Sequence, residues 1–396
     1  MKKLLLVLFA LLLFAVTGCK KESINNASGN DPVIVTPNPL CFTAEEAGAT
    51  VEMQILWYSQ LLDTLPNIEY SFDKKTWEEF TIGTTLITLE NVGDKVYFRG
   101  NNPQGLNPTY DVVQNDTFIC FKTNEKKITA SGNVMSLIDI KCEATSVPRY
   151  CFVDLFRETS ITTPPELPAT ELAQGCYEGM FAASGLTTAP ELPVTTLAEE
   201  CYAFMFSGCR SLTTAPELPA TELANSCYIW MFNGCRSLTI APELPATTLA
   251  GGCYAYMFEN CENLTTVNEL PATILADGCY YRMFAGCNSL TSTPAILPAT
   301  TLTTNCYQHM FNGCTSLTTA PELPASALKA DCYSMMFHNC QSLNSIKVNF
   351  KTWGSLSETY EWVENVAPSG TFYCPSELPQ WFNSYHIPEG WEVVTF

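Results

Sequence analysis

Cysteine is the residue type whose number and spacing first suggest chemistry in this chain. Nineteen are present, against three histidines, His309, His338 and His386. Thiols in such number could bridge, hold zinc or act as nucleophiles. Spacing decides among these. A Cys-Tyr pair recurs at Cys176, Cys201, Cys227, Cys253, Cys279, Cys306 and Cys332, at intervals of 25, 26, 26, 26, 27 and 26 residues. From Cys201 onward a second Cys follows eight residues after the first. Eight residues along a helix separate α-carbons by about 12 Å, beyond the roughly 7 Å that a disulfide can span. Bridging within a repeat is therefore excluded, and a ladder of identical positions reads most simply as small apolar side chains filling equal holes. Bridges between neighbouring copies stay open as the alternative. Outside the ladder, Cys142 and Cys151 are the first candidates for a disulfide, ahead of Cys41, Cys120 and Cys374. No CxxC pair occurs and the histidines are scattered, so neither a metal nor a cofactor is expected. No Ser, His and Asp constellation, phosphate loop or convergent acid pair stands outside the repeat register, so catalysis is not expected either.

The acids and the aromatics carry the other candidate chemistry. Glu166, Glu191, Glu217, Glu243, Glu269 and Glu322 share the Pro-Glu-Leu-Pro position. At about 5 Å in water, neighbouring pairs repel by roughly 0.8 kcal/mol before screening. A solvated edge tolerates that, and a stripe for a cationic partner or calcium is the functional alternative. Counting from the Cys of each Cys-Tyr as zero, position 3 runs Gly179, Phe204, Trp230, Tyr256, Arg282, His309, Met335, and position 2 includes Ile229 and Tyr281. Phe204, Trp230, Tyr256, Tyr281 and Arg282 are the candidate ligand contacts, since large apolar surface patches mark interaction sites. The plainer reading is that the rings pack on one another across neighbouring copies. Thr213, Thr239, Thr265, Thr291 and Thr318 form a further column, which strand preference alone explains.

The elements that would position these residues follow from superposing the copies. Positions 0, 1, 4, 5 and 8 are Cys, Tyr, Met, Phe and Cys in nearly every copy. At about 100° per residue they share one face of a helix. Residues at position −1 (Gly175, Glu200, Ser226, Gly252, Gly278, Asn305, Asp331) are mostly N-cap types. Gly or Asn at position 7 predicts a left-handed helix end, giving a helix of about two turns. Leu-Thr-Thr-Ala-Pro then predicts a short parallel strand, limited by prolines that lack the amide proton. A period in this range marks units that bury their apolar side only against their neighbours. The expected fold class is an α/β leucine-rich-repeat solenoid, one short parallel strand and one short helix per coil of about 26 residues, preceded by a small all-β sandwich.

The run Met-Phe-x-Gly-Cys-x-Ser-Leu followed by a Thr-rich strand and Pro, as in Met231 to Leu238 and Met310 to Leu317, resembles the BspA-like leucine-rich-repeat surface proteins of anaerobic gut and oral bacteria. The likeness covers roughly residues 145–345. Ile128 to Leu137 and Gly370 to Pro375 are similar to segments that flank such repeats. The doubled Pro and the Cys-Tyr start depart from the commoner, shorter family repeat. What the resemblance implies is adhesion to host components or to other bacteria, with a host extracellular protein or glycan as partner.

The chain begins with Lys2 and Lys3, an apolar run from Leu4 to Val16, and Val16-Thr17-Gly18-Cys19. Too short to span a bilayer permanently, this reads as a cleaved signal. Small residues before the Cys resemble a bacterial lipobox, which makes Cys19 the lipidation site and the lipid the membrane anchor. The expected location is the cell envelope, lipid-anchored, in the outer membrane facing outside. The formal charge of −20 argues against nucleic acid and anionic lipid as partners. The expected organisation is a signal peptide over 1–18, the lipidated Cys and a flexible tether over 19–40, and a β-sandwich over 41–130. A cap with a degenerate first repeat follows over 131–159, then the repeats over 160–345 and a C-terminal cap over 346–396. An adhesin-like binding protein is the leading expectation, and an envelope stalk without a specific ligand is the alternative.

Overall fold

The fold is that of a computed structural model, which describes residues 37–56, 65–107 and 118–396. Cys19, the signal and most of the tether lie outside the described residues. Pro37–Phe396 form one compact unit.

Its first part is made of β1 (Leu40–Ala44), β2 (Ala49–Leu56), β3 (Ile68–Ser71), β4 (Glu78–Glu79), β5 (Leu86–Leu89), β6 (Lys95–Gly100), β7 (Phe118–Thr123) and β8 (Ile128–Ser131). They pair antiparallel into two sheets, ordered β4-β3-β6-β1-β8 and β5-β2-β7. Period-two alternation is the cause: Val51 and Met53 of β2 are buried while Thr50, Glu52 and Gln54 are half-exposed. Rings join the sheets, with Phe42 and Phe98 meeting Phe121 edge-on at 5.0 and 5.1 Å. Phe121 also stacks on Phe156, at 5.5 Å and 8°. The same contact that closes the sandwich therefore begins the repeat core.

β8 is the edge strand where the backbone changes partner. Ile128 forms a parallel bridge to Ile161, and Asn133 to Glu166, so the sandwich edge is the first rung of the repeat ladder. A 3-10 turn (Val134–Leu137), with Asn133 as its cap, follows directly. Covering an edge removes the unpaired amides that would otherwise template association.

From Tyr150 onward the coils stack, and here the expected helix is absent. The described residues hold the single 3-10 turn and no α-helix. In its place runs a ladder of overlapping turns. Amides at positions 0, 2, 4, 6 and 8 bond three residues back, as Cys201 to Ala198, Ala203 to Glu200 and Met205 to Tyr202. Amides at positions 1, 3, 5 and 7 instead bond the next coil, as Tyr202 to Cys227, Phe204 to Ile229 and Phe206 to Met231. Every second amide is thus turned outward. A helix would point all of them along its own axis and leave each coil to bury its face without a backbone link to its neighbour.

The expected strands shrink as well. Outside the short pair β9 (Ser146–Val147) and β10 (Glu171–Leu172), the repeats up to Leu343 are joined by one-residue parallel bridges such as Thr196 to Glu222, Ile240 to Thr266 and Ile296 to Glu322. The prolines on either side supply no amide for a longer ladder. Pairing over three or four residues returns only where Pro-Glu-Leu-Pro ends, in the parallel sheet of β11 (Ser345–Lys347), β12 (Thr371–Cys374) and β13 (Glu392–Thr395).

One hydrophobic core runs from Leu40 to Trp391. Within it Tyr177, Tyr202, Tyr228, Tyr254, Tyr280, Tyr307 and Tyr333 stack face to face at 5.6 to 6.0 Å. A parallel column runs from Phe156 to Phe337 at 5.4 to 5.8 Å. Trp362, fully buried, closes both columns, 6.3 Å from Tyr333 and 6.1 Å from Phe337.

Candidate functional site

The turn ladder dictates what may stand at each position. A left-handed residue recurs every fourth place: Glu200, Phe204 and Gly208 in one coil, Ser226, Trp230 and Gly234 in the next. Gly at position 7 is left-handed as the sequence predicts. Position −1, expected to cap a helix, is left-handed too, which explains its Gly, Asn and Asp content by a different route. Position 3 carries the same conformation with a bulky side chain, at φ 56° for Phe204, 54° for Trp230, 58° for Tyr256 and 55° for Arg282.

These backbones bring the candidate residues together. Phe204 lies 4.7 Å from Trp230, and Trp230 stacks on Tyr256 at 4.4 Å. Tyr281 stands edge-on to Tyr256 at 5.0 Å and edge-on to His309 at 5.9 Å. Where Arg282 takes position 3, Tyr281 fills the place of the missing ring from position 2. Arg282 bonds Glu259 at 2.9 Å across the coil boundary. Burial, aided by Arg282 and His338, pushes the His309 imidazole down to about 4, so it is neutral at physiological pH. All these side chains are half-buried. They form a continuous row, and the faces of its central rings lie against one another.

The ladder thiols are buried packing groups. All eighteen described cysteines are free, Cys142 and Cys151 among them, so the expected bridge between those two does not form. Burial raises Cys261 and Cys340 to about 12 and Cys209 to about 11. Each second-column Sγ donates to the Phe carbonyl of the preceding coil, Cys209 to Phe181 at 3.0 Å, Cys235 to Phe206 and Cys261 to Phe232 at 3.1 Å. A small, weakly polar donor fits a dry site with one spare lone pair. Among the described residues no group of three or more His, Cys, Asp or Glu is arranged to hold a metal.

At the N-terminal end of the same face lie two acids, Asp154, buried and paired with Arg157 at 3.4 Å, and Glu178, half-buried with no cation in contact among the described residues. Gly175 and Gly179 leave space that Tyr150 and Asp154 occupy, since a Cβ on either glycine would lie 2.2 Å from them. Burial, then Glu200 and Asp154, push the Glu178 carboxyl up to about 8. Burial raises Asp154 to about 6 against the opposing pull of Arg157.

The strand face carries the predicted Thr column and the exposed glutamates of Pro-Glu-Leu-Pro. It also carries a groove that sequence reasoning missed, of about 820 Å³, at the C-terminal coils. Its signal was a departure from the repeat after Leu343, where Lys347, Tyr373 and Phe396 stand in place of the periodic residues.

Stacked coils of this period, with Leu, Cys, Phe and Met inside, define a leucine-rich-repeat protein. Residues 181–309 and 232–359 match the family model described as BspA type leucine rich repeat region, in six copies, and the chain carries a repeat region of that family. Repeats of this type point to a protein-binding or adhesin-like protein. No curated protein and no solved structure matches the chain.

Proposed function

We propose that this protein is an outer-surface lipoprotein whose repeats form a solenoid that binds a protein outside the cell, of host or bacterial origin, in the manner of an adhesin. The observation that carries the reading is the half-buried row Phe204, Trp230, Tyr256 and Tyr281, flanked by Arg282. A bulky left-handed residue costs about 1–2 kcal/mol, while an aromatic contact returns about 0.5–1.5 kcal/mol. Stability alone therefore gains little from rings at position 3, where Gly179 shows the strain-free solution. The row also selects between partner classes. Sugar rings stack on aromatic faces, and the faces of Trp230 and its neighbours are covered by one another. Their edges suit a protein surface with its own apolar anchors.

The test is the mature ectodomain with Phe204, Trp230 and Tyr256 all replaced by Ser, assayed against matrix proteins, mucus proteins and cells. Loss of binding with retained folding supports the reading, and unchanged binding ends it. Anchoring is tested separately: Cys19→Ser should move the protein from the membrane fraction to the soluble one.

A second reading, a stalk without a specific ligand, is favoured by the covered ring faces and by the unbroken core from Leu40 to Trp391. It predicts that the unmodified ectodomain captures nothing from those same sources.

A further inference from the structure

A surface generated by translation repeats itself at every coil, so a site for one particular ligand needs a place where the repeat breaks. The strand face breaks after Leu323, where the Pro-Glu-Leu-Pro wall stops and the three-stranded parallel sheet begins. The groove of about 820 Å³ lies there, within the range of about 300–1,000 Å³ that small-ligand sites occupy.

Its chemistry differs from that of the turn face. Tyr373 and Phe396 line it without a ring partner among the described residues, and Phe396 is 58% exposed. Neither ring is stacked on another, unlike the aromatic rows of the coils. The floor is hydroxylic. Thr265 and Thr291 tie their hydroxyls to the preceding coil, whereas Thr318 and Ser345 make no side-chain hydrogen bond to the described residues. The one lining cation, Lys347, is engaged by Glu322 at 2.9 Å, and its Nζ stands 6.0 Å over the Phe396 ring. That pair offers one donor and one acceptor with no net charge.

We propose that this groove is a binding site for a neutral oligosaccharide, with Tyr373 and Phe396 taking sugar faces and Thr318, Ser345 and the Lys347–Glu322 pair taking sugar hydroxyls. Apolar C–H faces flanked by hydroxyls are what alternating aromatic and hydroxylic groups complement. Neutralised Lys347 and the acidic body, at −20 overall, exclude sulfated or uronic chains. The site is separate from the protein-binding row of the turn face.

Titration calorimetry of the mature ectodomain with maltohexaose, cellohexaose, xylohexaose and mannohexaose, with a hyaluronan hexasaccharide as the anionic control, tests this. Binding of at least one neutral member is expected, with no binding of hyaluronan. Phe396→Ala and Tyr373→Ala should each weaken it roughly tenfold, which is about 1.4 kcal/mol. Tyr373→Ala removes a residue of β12, so Phe396→Ala, at the exposed end of the sheet, keeps the test valid should the first variant unfold locally. Trp230→Ser should leave sugar binding intact, which separates this site from the turn-face row whichever of the two fails. Absence of binding by every neutral member, preference for hyaluronan, or affinity unchanged in both alanine variants overturns the proposal. So does an ectodomain dimer that buries Phe396 and excludes sugar.

Discussion

Cys261 illustrates how a residue that invites a reading of reactivity is used for packing. Its thiol is fully buried, raised to about 12, and donated to the Phe232 carbonyl. Replacement by Ala should cost about 1 kcal/mol in urea denaturation, the worth of one ordinary hydrogen bond. The wider consequence is kinetic. Among the described cysteines Cys142 alone is not buried, so a thiol reagent should modify that one quickly in native protein and the rest only on unfolding. Glu178 makes the opposite use of burial. Its carboxyl holds a proton up to about 8 in the folded chain, against an ordinary 4.5. Folding therefore favours the neutral form, and the stability available below about pH 4.5 is lost progressively as the pH rises toward about 8. Glu178→Gln should flatten that slope, raising the melting temperature at pH 8 while leaving it unchanged at pH 4. A melting curve equally pH-dependent in both proteins would show that the acid is solvated.

At the scale of the element, the turn ladder is where expectation and structure part. Cys, Tyr, Met, Phe and Cys at positions 0, 1, 4, 5 and 8 share a helical face on a wheel, and they share the buried side of the turn ladder equally well. Burial pattern alone cannot tell the two apart, because both advance the chain through a compact four-residue period. What separates them is left-handed backbone at −1, 3 and 7, and at position 3 the residue types Phe, Trp, Tyr and Arg conceal it. Glycine substitutions expose the geometry. Gly234 is left-handed at φ 69° with its nearest neighbour 3.9 Å from an added Cβ, whereas at Gly175 a Cβ would sit 2.2 Å from the Tyr150 ring. Gly234→Ala should cost about 1–2 kcal/mol from backbone strain alone, and Gly175→Ala clearly more. Equal losses in chemical denaturation would count against this account.

Taken as a whole molecule, sandwich and repeats behave as one body because they share rings. Phe42 and Phe121 of the sheets contact Phe156, which stacks on Phe181 and so enters the column that Trp362 closes. Removing residues 37–131 should therefore leave Phe156 exposed and yield a protein that binds hydrophobic dyes and unfolds at lower temperature, rather than an independent, equally stable repeat domain. At the other end Trp362→Ala should cost about 3–5 kcal/mol, since the ring is fully buried and its indole nitrogen donates to the His386 carbonyl at 2.8 Å. Melting of the C-terminal coils ahead of the sandwich, followed by hydrogen exchange, is the expected signature.

The repeat, its period and its buried residues could be read from the sequence because a translational stack imposes the same environment on every copy, so the copies report one another's constraints. The identity of the turn-face row was legible for the same reason: positions 2 and 3 vary where positions 0, 1, 4 and 5 do not. Backbone conformation was not legible, since every second amide of the ladder has its partner about 26 residues away, in the neighbouring coil and outside the local pattern. The groove at Tyr373 and Phe396, the neutralisation of Lys347 by Glu322 and the joining of two sheets to the first coil through Phe156 arise once only. Such features have no second copy to reveal them, and only tertiary packing brings their parts together.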